Sequence, residues 1–355
     1  MKILSFILVI IPCLLPWIPI QGAELGAVSR NTSALFQSSE PLALTINAPF
    51  KTIFRHRGSN RPYDPATMFI TDADGKQVSV DLKIRVRGNF RSDWENCKYP
   101  PLKLNFKRKS LKNTILKGEN KLKLVVQCKD QDKYAQYLLL EYLNYKVYQL
   151  LTDYSLDVRL ARIEYYDSEK NQDLGGRPAF FIEDTGRFAK RLDLQELEMK
   201  KIPAENYDPA ALNLAEMFEF FIANTDWSST EKEEHDDNCC HNIIPFKARD
   251  GTVIPVPYDF DMAGVVDAAY AVVDPRLRIN SVRQRLYRGH CQDEAILQST
   301  INTFKARRND IYSLYENQPG LTSENIKQTV KYYDNFYDIM QNEERLKWMI
   351  RNKCR

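Results

Sequence analysis

Three short runs in the second half of the chain carry side chains suited to holding divalent cations and moving a proton. They are Asn224-Thr225-Asp226-Trp227-Ser228, His241-Asn242 and Tyr258-Asp259-Phe260-Asp261. Carboxylates and amide oxygens are the donors that hard cations prefer. The first half supplies the opposite charge. Arg85-Val86-Arg87-Gly88-Asn89-Phe90-Arg91-Ser92, the run Tyr99 to Phe106 with Lys103 inside it, and Leu122-Lys123-Leu124-Val125 present cations on what alternate as strands. From Lys98 to Lys123 there are nine Lys or Arg and one Glu, whereas Asp226 to Asp237 holds six acids and one Lys. A basic region set against an acidic one is what a polyphosphate and its cations require, since such chemistry rests on positioning and charge neutralisation.

Each run also has a plainer reading. Lysines on a strand are often a solvated face, Arg87 could pair with a nearby carboxylate, and Asp226 could cap a helix starting near Trp227. Asp259 and Asp261 flank Phe260 at a strand end, so both can point to one side, although Asp is also common in turns. The cluster His235, Asp236, Asp237, Cys239, Cys240 and His241 fits no zinc-ligand spacing. The sequence contains no G-x-S-x-G, H-E-x-x-H or G-x-G-x-x-G, which argues against common hydrolase, metalloprotease and glycine-loop nucleotide sites. The lysine-rich stretch has no nucleic-acid-binding motif around it.

The elements that must position these groups follow from periodicity. Segments 42–46, 53–57, 77–87, 101–106 and 121–126 read as antiparallel strands. Residues 134–151 read as a helix with Tyr137, Leu138, Tyr142, Tyr145 and Leu150 on its buried face. Strand character returns at 158–166 and 178–183, with Gly175 and Gly176 as the hairpin turn. A helix is expected over 209–224, a strand pair over 252–261, and two long helices over 293–315 and 323–351, the last capped by Ser323. A sheet-rich first half followed by a helical second half predicts two lobes with a cleft between them.

Lys2, an apolar run from Ile3 to Ile18 interrupted by prolines, and small residues at Gly22 and Ala23 form the pattern of a cleaved secretory signal peptide. Of seven cysteines, Cys13 lies in that leader, and an even six remain, which favours disulfides. We expect Cys97 to pair with Cys128, and Cys239 or Cys240 to reach Cys291 or Cys354. Lys and Arg total 50 against 47 acids, so net charge names no partner.

Taken in order, the Arg-x-Arg-Gly-Asn strand, the Lys-bearing strand, the Glu-ending strand Phe180-Phe181-Ile182-Glu183, the Asn-x-Asp, the His-Asn and the late Asp-x-Asp resemble the spore coat protein H (CotH) family of atypical, protein-kinase-like phosphotransferases, over about residues 45–290. The resemblance implies an α+β, bilobal protein-kinase-like fold with an antiparallel sheet-rich N-lobe and a mainly helical C-lobe. The divisions would be a signal peptide at 1–22, a flexible lead at 23–40, the sheet-rich lobe at 41–183 and the helical lobe at 184–355. It implies ATP with Mg2+ or Mn2+ as cofactors and a protein Ser or Thr hydroxyl as acceptor, in a secreted or periplasmic protein with neither a membrane span nor a nucleic-acid partner. By that similarity Asp226 accepts the acceptor's proton, and Asn242 and Asp259 hold metal. Asp261 binds a second ion or braces the first. Lys103 reaches the phosphates, oriented by Glu141, with Lys123 as its competitor; Arg87 contacts phosphate, and Glu183 sits near the adenine. Asp226 and Asn242 stand sixteen positions apart with an acidic insertion between them, a departure from the kinase spacing. The alternatives are a non-catalytic surface or coat scaffold and a glycosyltransferase that uses Asp259-Phe260-Asp261 as its metal motif.

Overall fold

In the computed structural model, which describes residues 32–71 and 75–355, the first half of the chain closes on itself. Strands β1 (Leu42–Ala48), β2 (Asp64–Thr71), β3 (Gln77–Val86), β4 (Leu102–Phe106), β5 (Lys121–Val126), β6 (Val158–Asp167) and β7 (Gln172–Ile182) form a closed barrel in the order β1-β2-β3-β4-β5-β7-β6. Closure comes from β1 lying parallel to β6, from Leu42 opposite Ala161 to Ala48 opposite Asp167. This overturns the expected bilobal, kinase-like fold with an antiparallel sheet-rich N-lobe. Strand periodicity shows which face of each strand is apolar, but not whether the first and a later strand will meet.

Period-two alternation fills the barrel. Leu44, Ile46, Met68, Ile70, Val80, Leu82, Ile84, Leu104, Leu122 and Phe181 all point inward and are buried. Their neighbours point out, so Arg85, Lys103 and Lys123 fall in register across β3, β4 and β5, with Ile182 of β7 next in the row. Segment 53–57 is not a strand: helix α1 (Phe50–Arg55) buries Phe50 and Ile53. Gly175 and Gly176 are not the hairpin turn but lie inside β7, beside a register shift at Tyr165/Tyr166. Gly175 has a φ of +78°, and a Cβ on Gly176 would strike the Glu164 carboxylate.

Helix α2 (Asp132–Leu151) packs between barrel and helices, and is therefore buried on nearly every side rather than along the single expected stripe. The outward Phe180 and Ile182 of β7 join α2 and the later helices in a second core. That core holds α3 (Thr185–Leu192), α4 (Pro209–Ile222), α5 (Glu294–Ala306), α6 (Arg308–Glu316), α7 (Ser323–Gln341) and α8 (Glu343–Leu346), the last running into a π-helical turn over Lys347–Arg351. A small sheet, β10-β9-β8, is made of β8 (Gln195–Glu196), β9 (Ile243–Lys247) and β10 (Val253–Pro257). The two expected long helices are thus interrupted, and Thr322, not Ser323, caps α7 by accepting the Asn325 N–H.

Thr32–Arg355 form one compact unit. The expected leader, 1–22, lies outside the described residues. The expected flexible lead is described only from Thr32, and there it is anchored. Leu35 is fully buried, and Arg159 donates to the backbone oxygens of Leu35 and Glu40. Cys97 bonds to Cys128 as expected. The other pairs are Cys239 with its neighbour Cys240, and Cys291 with Cys354, not the cross-pairing anticipated. No helix among the described residues is long and apolar enough to cross a membrane.

Candidate active site

The barrel's cationic row and the acidic turns of the helical half face one another. Phe260 is fully buried against Tyr145 of α2 and Phe218 of α4, with ring centres 4.6 and 5.3 Å away. This anchor fixes the carboxylates on either side of it. Asp259 takes a left-handed φ of +63°, and its N–H donates to the Tyr145 hydroxyl at 2.9 Å. Asp261, buried, receives Arg91 at 3.3 Å, and the same guanidinium nitrogen reaches Glu141 at 2.8 Å. Burial raises the carboxyls of Glu141 and Asp261 above the usual range, with Arg91 opposing the rise. The charges of Asp259 and Asp226 raise Asp261 further, which places these three carboxylates within electrostatic reach of one another.

Across from them stands Lys123. Its ammonium lies 4.9 Å from the Tyr258 ring. Burial, then Arg87, lower it to about 8, with Asp259 opposing and Lys103 adding to the repulsion. Lys103 is half-buried, and burial followed by Arg85 and Lys121 lowers it. Arg87 makes no ion pair or side-chain hydrogen bond among the described residues. Neighbouring cations that repel one another and make no ion pair among the described residues are the electrostatic signature of a site that takes an anion.

The sixteen-residue gap between Asp226 and Asn242 is bridged by the fold. Ser228 N–H donates to the His241 carbonyl, so the insertion loops away and the chain returns beside Asp226. The Asn242 amide nitrogen donates to the Asp226 backbone oxygen at 2.6 Å and to its carboxylate at 3.1 Å. Its amide oxygen is thereby turned away from Asp226. Asn224 accepts the Asp226 N–H at 3.0 Å, just after α4 ends with Ala223 at a φ of +52°. His241 joins Asp226 at 3.1 Å and Asp236 at 2.8 Å. Burial opposes its charge, but the two carboxylates overcome that and push the imidazole up to about 9. It is therefore a cation at neutral pH.

Asp226, Asp236 and His241 line a hollow of about 860 Å3 whose rim carries Phe90, Trp94 and Val272. These are three of the five exposed large apolar side chains among the described residues. Trp94 is fixed by the Arg57 guanidinium, 3.4 Å from its ring centre.

One expected role changes. Glu141 does not orient Lys103; its partner is Arg91, because the tip of the β3–β4 connection folds down to α2. Glu183, expected near the adenine, has its carboxylate engaged within the chain. It is buried, bonded twice to Arg191 at 3.1 and 2.8 Å, and accepts the Asp157 N–H. Arg91, Asn224 and Asp236 stood in runs that the sequence singled out but were given no role there, and Tyr145 was read only as part of a buried helix face.

Among the described residues no cluster of three or more His, Cys, Asp or Glu is arranged to hold a metal ion. Magnesium bound between a protein and a triphosphate needs only one or two carboxylates, since phosphates and water complete its shell. Asp259 and the Asn242 amide oxygen fit that donor set. Asp261 fits it less well, being committed to Arg91. No protein-family model matches this chain, and no curated protein matches it.

Proposed function

We propose that this chain is an exported, divalent-metal-dependent phosphotransferase that moves the terminal phosphoryl group of ATP to a protein hydroxyl. The observation that carries the reading is the opposition of Lys123, Lys103 and Arg87 to Asp259, with Asp226 held by Asn242 and His241 at the edge of the same acidic cluster. The three disulfides accord with an oxidising compartment.

In this scheme Lys123 and Arg87 bind the triphosphate oxygens, and Lys103 adds charge at the entrance. Asp259 and Asn242 hold the metal, which when bound neutralises charge on the phosphate oxygens. Asp226 orients the acceptor hydroxyl and takes its proton as that oxygen bonds to the γ-phosphorus. The bond from this phosphorus to the β,γ-bridging oxygen breaks, and ADP leaves with the electron pair. His241 and Asn242 keep the Asp226 carboxylate in one orientation. The apolar rim of Phe90, Trp94 and Val272 beside Asp226 suits a peptide acceptor better than a small polar one. The sugar-nucleotide reading is weakened because Asp261 is bound to Arg91.

The test is nucleotide binding by the purified protein with and without magnesium. Asp259→Ala should fold normally and lose the magnesium-dependent part of ATP binding, read as a thermal shift. A stabilising response to a sugar nucleotide but not to ATP overturns the proposal.

A further inference from the structure

A second charged hollow, of about 870 Å3, lies between the chain segment that follows Asp261 and the last helices. Arg278, Arg283, Arg285, Lys331, Arg345 and Lys353 line it, against Asp267 as the single acid. Arg283 uses Asp267, at 3.3 Å. Arg278, Lys331 and Arg345 are exposed and make no ion pair among the described residues. The imbalance is therefore not neutralised by the chain's own described carboxylates.

The hollow is a preformed structure. Arg285 is 7% exposed, its guanidinium 3.8 Å from the Tyr332 ring centre, and it donates to Phe221 O, Tyr332 O and Asn335 Oδ1. Its Nε has no partner, an unsatisfied buried donor in the wall of the hollow. The π-helical turn that bears Trp348, 62% exposed, and Met349 also lines the hollow. Such turns are rare and recur at functional sites. This one is tied down by the Cys291–Cys354 disulfide and by the Arg355 N–H donating to Gly289 O.

We propose that this hollow binds an acidic peptide segment of a partner protein, one that interleaves carboxylates with apolar side chains. The charge asks for an anion. The apolar lining from Trp348, Met349, Leu286 and Ile339 offers burial to side chains that an inorganic anion does not have. Its concave volume of about 870 Å3 suits a chain that can enter it better than a flat lipid surface. The segment following Asp261 forms one wall, so an occupant would sit on the continuation of the chain that carries the carboxylates described above. The proposal stands without the phosphotransfer reading.

The test uses the purified protein and a short fluorescein-labelled peptide of alternating Glu and Leu, followed by anisotropy. Wild-type protein should bind it with an affinity that falls as salt rises. Arg278→Glu with Lys331→Glu should weaken binding about tenfold or more, with the unfolding temperature unchanged. Trp348→Ala should weaken it several-fold without changing the salt dependence. Equal binding by wild type and the charge-reversed variant overturns the proposal. So does failure to bind the peptide while anionic vesicles or a sulfated oligosaccharide bind. Self-association through the hollow that the peptide cannot displace would assign it to a second copy of this chain instead.

Discussion

Replacing Arg91 by Met would leave two buried carboxylates without their shared cation. The Arg91, Glu141 and Asp261 side chains are 8%, 1% and 7% exposed, and one guanidinium nitrogen serves both carboxylates at 2.8 and 3.3 Å. Arg91 bonds to Glu141 Oε2, and Oε1 has no partner. Removing one member of such a buried ionic group costs about 3–5 kcal/mol, because the remaining charges keep their desolvation penalty. For a chain of this size that corresponds to a fall of roughly 4–7 °C in unfolding temperature. The penalty has a definite pH sign. Both carboxyls already titrate above their unfolded values, and loss of Arg91 raises them further. The folded variant then binds more protons than the unfolded chain, so its stability falls as pH rises. Urea unfolding at about pH 5 and about pH 8 should show a gap between variant and wild type that widens with pH. A second variant, Arg91→Met with Glu141→Met, should recover part of the loss. A gap below about 1 kcal/mol at pH 8, or one that narrows with pH, would refute the clamp.

Lys123→Met should weaken binding of a non-hydrolysable ATP analogue by about 10- to 100-fold, the worth of a charged hydrogen bond, and Lys103→Met by less; isothermal titration calorimetry decides between them. Because Lys123 loses its proton near pH 8 in the free protein, wild-type affinity should fall as pH rises through that value. Glu219, fully buried on α4 with both carboxyl oxygens unpaired, is raised well above the carboxylate range by burial; the Asn224 amide and Arg288 oppose the rise, and Asp226 adds to it. Its raised folded pKa lowers stability by up to about 1.4 kcal/mol per pH unit above the unfolded value near 4.3. Glu219→Gln should match wild type at acid pH and exceed it at alkaline pH in urea unfolding; parallel curves would exclude this. Cys97 and Cys128 close a separation of 31 residues, so the double Ser variant should lose about 3–4 kcal/mol by the same measurement.

The sequence by itself determined the local facts, because they depend on neighbours along the chain. Alternation located β1, β3, β4, β5 and β6, the helical period located α2 and α4, and the charge runs marked a cationic first half and an acidic second. The short runs around Asp226, Asn242 and Asp259 also named groups that the fold gathers into one neighbourhood. Tertiary structure alone decided what depends on contacts between distant residues. Barrel closure needed β1 to find β6, and the pairing of Cys239 with Cys240 left Cys291 for Cys354. Partner choice among like residues was equally invisible. Glu141 and Asp261 share Arg91, Glu183 is taken by Arg191, and Lys123 rather than Lys103 is the lysine that feels Asp259. A charge's partner is fixed by distance and desolvation in space, and periodicity along the sequence carries neither.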